Sequence, residues 1–238
     1  MIEIHELKKL KSKSPIVILG FPGTGLVGSV AASQLVEVLK LEFIGYLSSP
    51  EFAPLAAIHD YTPLPATRIH YSDKYNILVI LSEMTIPVAS SRELAERIFE
   101  YVKKLDAKEI ITLGGITMKE GDDIVYAIST DKKRTNDMLK RKIAKPIREG
   151  ATTGVTGILL TLGTVENFPI LSLLAEASED HLDPKAASNA LKALSKILEV
   201  PIDTKELENE AKEMDQEMRG KAVKSKVALK KPIGAMYG

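Results

Sequence analysis

Residues 15–28 read Pro-Ile-Val-Ile-Leu-Gly-Phe-Pro-Gly-Thr-Gly-Leu-Val-Gly, and the fold follows from how this stretch divides. Pro15 to Phe21 is a short unbroken apolar run rich in β-branched residues, the pattern of a central strand buried on both faces. Gly23, Gly25 and Gly28 then satisfy G-x-G-x-x-G. Gly25 to Leu39 reads as a helix that opens with Gly28, Ser29, Ala31 and Ala32, small enough to let it approach a sheet closely. Glu42 to Leu47 resumes a strand, so the expectation is a βαβ unit. The same region superficially resembles a membrane anchor, because Ser14 to Val36 is uncharged and follows four lysines. Pro22 and the glycines at 20, 23, 25 and 28 interrupt it, leaving an apolar segment too short to span a bilayer.

Working outward, Tyr75 to Leu81, Glu109 to Leu113 and Ile124 to Ile128 read as further strands, and Thr135 to Leu139 as a short helix. Ser90 to Leu105 is an amphipathic helix with Leu94, Ile98, Tyr101, Val102 and Leu105 on one face. Pro50 to Tyr75, with prolines at 50, 54, 63 and 65, is expected to be a rim insertion in which Ala57 to His59 and Thr67 to Tyr71 form two strands. Thr153 to Thr164 suits a buried strand-turn-helix junction, and Phe168 to Glu176 reads as a helix with Pro169 in its first turn. Asp183-Pro184 opens a helix that ends before Pro201. A last helix follows, capped by Asp203 or Thr204, with Leu207, Ala211, Met214 and Met218 forming a narrow apolar seam. Strands alternating with helices predict an α/β fold, a three-layer α/β/α sandwich with a mainly parallel sheet over residues 1–200. A C-terminal acidic helix (201–219) and a flexible basic tail (220–238) complete the chain.

Composition narrows the functional classes. The chain has 238 residues, 45% of them hydrophobic, with 32 Lys+Arg against 32 Asp+Glu, so its whole-molecule charge has no bias toward nucleic acid or anionic lipid. It contains no cysteine, which excludes disulfides, thiolate metal sites and Cys nucleophiles. None of the four histidines has another at i+3 or i+4, so no helical metal pair exists, and Gly-x-Ser-x-Gly is absent. Glu83 and Asp60 are candidate rim carboxylates that nothing pairs in sequence. The glycine turn Gly23–Gly28 supports one enzymatic alternative, a small-molecule or nucleotide-binding enzyme, because it follows a strand and opens a helix. However, the acid expected at the end of the second strand is missing, since Ser48-Ser49-Pro50 stands there. Close strand-to-helix packing is the competing account of these glycines. The tail carries six basic residues from Arg219 to Lys231, yet no aromatic interleaves them and an acidic helix precedes them, which argues against a nucleic-acid arm.

Several stretches together resemble the archaeal members of the proteasome assembly chaperone family. They are the turn Gly20-Phe21-Pro22-Gly23-Thr24-Gly25-Leu26-Val27-Gly28, the strand end Leu81-Ser82-Glu83, Gly114-Gly115, and the region from Leu171-Leu174 through Asp183-Pro184-Lys185-Ala186-Ala187. The likeness covers roughly Pro15 to Val200. It implies a cytoplasmic, non-enzymatic binding protein with no cofactor or metal, assembled as a homo-oligomer, expected here to be a tetramer. It also gives meaning to the terminal triplet Met236-Tyr237-Gly238, which fits the hydrophobic-tyrosine-any motif that docks between neighbouring α-subunits of the 20S core particle. By that analogy Met236 enters the apolar part of the pocket, Tyr237 contacts its wall, and the Gly238 carboxylate pairs with a pocket lysine. A flexible tether would let several tails of one oligomer engage several pockets. The implied role is assembly chaperone or activator, with neither nucleic acid nor membrane as a partner.

Overall fold

The 15–28 stretch folds as strand, turn and helix. Ile16–Gly20 forms β2, and Val27–Val38 forms α1 after a single 3-10 turn at Thr24–Leu26. The computed structural model describes residues 1–117, 123–179 and 181–229, with side chains in the last helix as far as residue 217. Met236, Tyr237 and Gly238 therefore lie outside the described residues.

Around β2 the chain builds a nine-stranded sheet among the described residues. Its centre is parallel: β7 (Ile77–Ser82), β2, β8 (Glu109–Ile116) and β11 (Ile170–Glu176) lie side by side in one direction. Beyond β7 come β6 (Thr67–Ser72), β3 (Glu42–Ser48) and β1 (Glu3–Glu6), each antiparallel to its neighbour. On the other side β9 (Val125–Ser129) pairs antiparallel with β11, and the two-residue β10 (Lys145–Pro146) closes that edge. The sheet is thus parallel through its four central strands and mostly antiparallel outside them, the short β10 being parallel to β9.

Two cores, one on each face, show why the fold has three layers. Ile18, Val79, Ile111 and Leu173 point to one face, where they meet Leu35 of α1, Met138 of α3 (Lys132–Arg141), Leu191 of α5 (Pro184–Leu198) and Leu207 of α6 (Lys205–Leu229). Val17, Leu19, Leu78 and Ile110 point to the other, against Leu94 of α2 (Ser91–Lys104) and Leu159 of α4 (Gly154–Glu166). The alternation along each strand is what a period of two requires. Asp183 caps α5 as read from the sequence: its carboxylate accepts from the Ala186 N–H at 2.9 Å, with Pro184 in the first turn.

Four local expectations are corrected. Phe168 to Glu176 is not a helix: Ile170–Glu176 is the central strand β11, buried between β8 and β9. Asn167 ends α4 in the left-handed region (φ 56°) just before Pro169, so the proline starts a strand and not a helix. Thr153 to Thr164 holds no strand, because Gly154–Glu166 is helical throughout. Gly163 is small so that the Ile170 side chain can lie against it: an added Cβ would come within 2.7 Å of that side chain. Thr67–Ser72 is not a rim hairpin strand but the fully buried β6 of the main sheet. The rim hairpin instead pairs β4 (Ala56–His59) with β5 (Thr62–Pro65). Finally, β2 and β3 are not neighbours, since β7 and β6 lie between them.

The last helix runs from Lys205 to Leu229, through the first ten residues of the stretch assigned to a basic tail (220–229). The first proline after Pro201 is Pro232, and the lone Gly220 costs a helix only about 1 kcal/mol. Leu207 is buried, Ala211 and Met214 are half-buried, and the helix packs on α5.

Candidate functional site

The carboxyl ends of β7, β2, β8 and β11 converge on one edge of the sheet, where α/β folds place ligands. The glycine turn lies there, and the chain crowds Gly20, Gly25 and Gly28 of this stretch, whereas Gly23 meets nothing within 4 Å. At Gly28 an added Cβ would lie 2.4 Å from the Phe21 carbonyl oxygen and 2.6 Å from that of Leu113. At Gly20 it would lie 2.2 Å from the Gly28 carbonyl oxygen. Gly25 adopts φ +60°, and its Cβ position is 3.0 Å from Ala177 Cβ and 3.1 Å from Asp183 Cβ. The Asp183 N–H donates to the Gly25 carbonyl at 2.9 Å. Close packing of α1 and of the β11–α5 connection therefore accounts for these three glycines, which places the packing reading ahead of the phosphate reading.

Beside the turn, a cleft of about 970 Å³ opens between α1, the β4–β5 hairpin and the start of α6, reaching Leu26, Ser33, His59, Glu83 and Leu207. Its floor holds a charge cluster that sequence reading missed. Arg68, on β6, is only 2% exposed. It donates to Glu83 Oε1 at 2.6 Å and, through Nε, to His70 Nε2 at 3.2 Å. Its second Nη2 neighbour is His59 Nε2, at 3.0 Å. That same His59 nitrogen is 2.8 Å from Glu83 Oε1. It accepts from Arg68 when it carries the lone pair and donates to Glu83 when it carries the hydrogen, so its two roles alternate with its protonation. The Ser33 hydroxyl also donates to Glu83, at 3.2 Å.

The electrostatics follow from burial. His70 is 5% exposed. Desolvation, opposed by its bond to the Leu41 carbonyl and reinforced by the Arg68 charge, lowers its pKa to about 4, so it is the neutral acceptor that Arg68 needs. Burial alone would raise the Glu83 carboxyl, but hydrogen bonds from Arg68 and His59 outweigh it and hold the group below its ordinary value. A carboxylate so stabilised is a poor general base, and the Ser33 hydroxyl beside it is correspondingly unactivated. The arrangement joins the hairpin to the main sheet through the hydrogen bonds of His59 with Glu83 and Arg68; it does not form a nucleophile–base pair. Among the described residues no group of three or more His, Asp or Glu side chains is placed to hold a metal, and no helix is long and apolar enough to cross a membrane.

From sequence, Glu83 stands as a lone rim carboxylate, the four histidines as unpaired residues, and Arg68 carries no signal. Asp60 lines the same cleft but sits in the hairpin turn with φ 45°. The signal that could have joined the group is the pairing of β6 with β7, which sets Arg68 opposite Leu81 and Thr67 opposite Ser82, one residue before Glu83.

The fold has counterparts among known proteins. The model of the PAC2 family matches residues 17–222, ending short of the terminal triplet. The crystal structure of Pyrococcus furiosus PbaA, described as an archaeal homolog of proteasome-assembly chaperone, superposes with a TM-score of 0.85 at 27% identity, covering 97% of this chain and 95% of that one. P. furiosus PbaB, described as an archaeal proteasome activator, gives a TM-score of 0.79 at 29% identity over 92% of this chain and 98% of that one. An uncharacterized protein of Methanocaldococcus jannaschii is 29% identical over 214 residues, 90% of this chain and 88% of its own length. The chain belongs to the PAC2 family.

Proposed function

We propose that this PAC2-family protein is an assembly chaperone or activator-like partner of the proteasome that acts by binding and not by catalysis. The observation that carries the reading is full-length similarity to one structure described as a homolog of proteasome-assembly chaperone and another described as a proteasome activator. The site chemistry supports it: the buried charge cluster in the cleft is internally compensated, and Gly25 and Gly28 of the glycine turn are taken up by packing. The partner is the 20S core particle, engaged by insertion of Met236, Tyr237 and Gly238 between α-subunits. A homo-oligomer, a tetramer in this reading, presents several tails from the cytoplasm at once, so that weak single contacts add through effective concentration.

The test compares co-sedimentation with 20S particles for the intact chain, Tyr237→Ala, a deletion of residues 236–238, and the chain with one residue appended after Gly238. The intact protein is expected to co-sediment and the three variants to lose at least tenfold in affinity, about 1.4 kcal/mol or more. Equal binding by all four would end the tail mechanism. Binding by none would remove the proteasome as partner.

A further inference from the structure

The cleft beside the glycine turn continues into a groove. It shares Gln34 and Glu210 with a neighbouring cavity of about 670 Å³ that runs between α1 and α6 as far as Glu213. Leu26, Val30, Ser33 and Glu37 follow one side of α1 at helical spacing, and Glu206, Glu210 and Glu213 follow one side of α6. From Leu26 to Val38 the α1 wall rises about 18 Å, the length of about five or six residues of extended chain.

Folding does not account for two properties of this groove. Its cleft end is apolar: Leu26 comes from the glycine turn, Leu64 from the hairpin and Leu182 from the β11–α5 connection, and none of the three belongs to either core. Leu26 is 42% exposed and stands on left-handed backbone (φ 52°), where a residue with a Cβ is disfavoured. The rim is acidic. Glu83 is neutralised by Arg68, but Glu37, Asp60, Glu210 and Glu213 form no ion pair with any described residue. Lys205 is the only other lysine or arginine among the lining residues.

We propose that the groove binds an extended peptide segment of a partner protein in which lysine or arginine alternates with large apolar residues. The apolar side chains cover Leu26, Leu64 and Leu182, and the basic ones meet Glu37, Asp60 and Glu210 on the rim, where the apolar wall strengthens each pairing by excluding water. Charge complementarity selects this occupant: an acidic segment is repelled, and a neutral one leaves the rim carboxylates uncompensated. The chain's own end is too short to enter the cleft of the same copy. Leu229 lies 22 residues beyond Leu207, about 33 Å along α6, whereas the nine residues from 230 to 238 span about 30 Å when fully extended. The inference goes beyond proteasome docking and is independent of it, because its readout contains no 20S particle.

The full chain contains no tryptophan, so the indole of the end-capped peptide Lys-Ile-Lys-Trp-Lys-Leu reports its own surroundings. On titration with the protein its emission is expected to shift to the blue and to saturate, whereas the counterpart Glu-Ile-Glu-Trp-Glu-Leu is expected to give no shift. Glu37→Gln/Glu210→Gln and Leu26→Asn, the latter tolerant of left-handed backbone, are each expected to weaken binding about tenfold. Glu3→Gln/Glu149→Gln removes the same charge from exposed positions outside the groove and is expected to bind as wild type does. Circular dichroism verifies that each variant is folded, and should Leu26→Asn not fold, Glu37→Gln/Glu210→Gln decides. No blue shift at any protein concentration would overturn the proposal, as would equal binding of the acidic counterpart or an equal loss in Glu3→Gln/Glu149→Gln. So would undiminished binding by folded Glu37→Gln/Glu210→Gln or folded Leu26→Asn. Binding that emerges only after deletion of residues 230–238 would make a tail of this chain the occupant and overturn it as well.

Discussion

Substituting Gly28 and Gly23 separately tests whether the glycine turn is built for packing. In Gly28→Ala the new Cβ would stand 2.4 Å from the Phe21 carbonyl oxygen and 2.6 Å from the Leu113 carbonyl oxygen, where ordinary contact begins at 3.4 Å. The shortfall is 3.4 − 2.4, or 1.0 Å, and both obstacles are backbone atoms that no rotamer change can move. α1 must therefore shift away from β2 and β8 and loosen Ala31, Ala32 and Leu35 from the core they help to fill. Overpacking of this kind costs about 3 kcal/mol at the upper end of its range, and the better helix propensity of alanine offsets about 1 kcal/mol, leaving a net loss of about 2 kcal/mol. Gly23 is the internal control. Its backbone is extended (φ −165°) and an added Cβ meets nothing within 4 Å, so Gly23→Ala is expected to stay within about 0.5 kcal/mol of wild type. Urea unfolding followed by far-UV circular dichroism suits a chain without tryptophan. Equal losses in the two variants, or a Gly28→Ala protein as stable as wild type, would refute the packing account.

Three further predictions concern the cleft and the α5 cap. Glu83→Gln leaves the buried Arg68 guanidinium without its anion and is expected to cost about 3 kcal/mol in urea unfolding, whereas Arg68→Met/Glu83→Gln recovers part of that loss because no charge is left stranded. His70 titrates near 4 in the folded protein against an ordinary value of 6.5. Between those values the unfolded chain binds a proton that the folded chain does not, so stability falls as pH drops from 6.5 toward 4, by at most about 3 kcal/mol. His70→Asn should flatten this part of the urea-midpoint profile relative to wild type. Asp183→Ala removes the acceptor for both the Ala186 and Ser178 N–H groups, at 2.9 and 3.1 Å, and should lower stability by about 1–2 kcal/mol, read as a drop in Tm.

What the sequence made legible was local. The β-branched run at Ile16–Gly20, the small residues opening α1 and the Asp183-Pro184 cap each carry their signal within a few positions, and each stands where the pattern put it. β11 failed for a physical reason. A strand buried on both faces has no alternation, and Ile-Leu-Ser-Leu-Leu-Ala-Glu is poor in β-branched residues, so helix and strand look alike. β6 was legible as a strand but misplaced, because the prolines before it belong to the hairpin while Thr67–Ser72 returns to the main sheet. The cluster of Arg68, His70, Glu83 and His59 was illegible because its members meet only once β6 is laid against β7 and the hairpin folds over them. The terminal triplet is the converse case, a motif readable in sequence that lies outside the described residues.

The length of α6 has a consequence of its own. Twenty-five helical residues, Lys205 to Leu229, rise about 1.5 Å each and set the two ends about 37 Å apart. A strut of this kind measures direction as well as distance. Removing seven residues after Lys212 would shorten it by about 10 Å and turn its far end by only about 20°. Removing five would shorten it by about 7.5 Å but swing the far end by about 140°. The far end of the helix at Leu229 is therefore set with a phase, and shortened forms should fall into in-phase and out-of-phase classes that do not follow the number of residues lost.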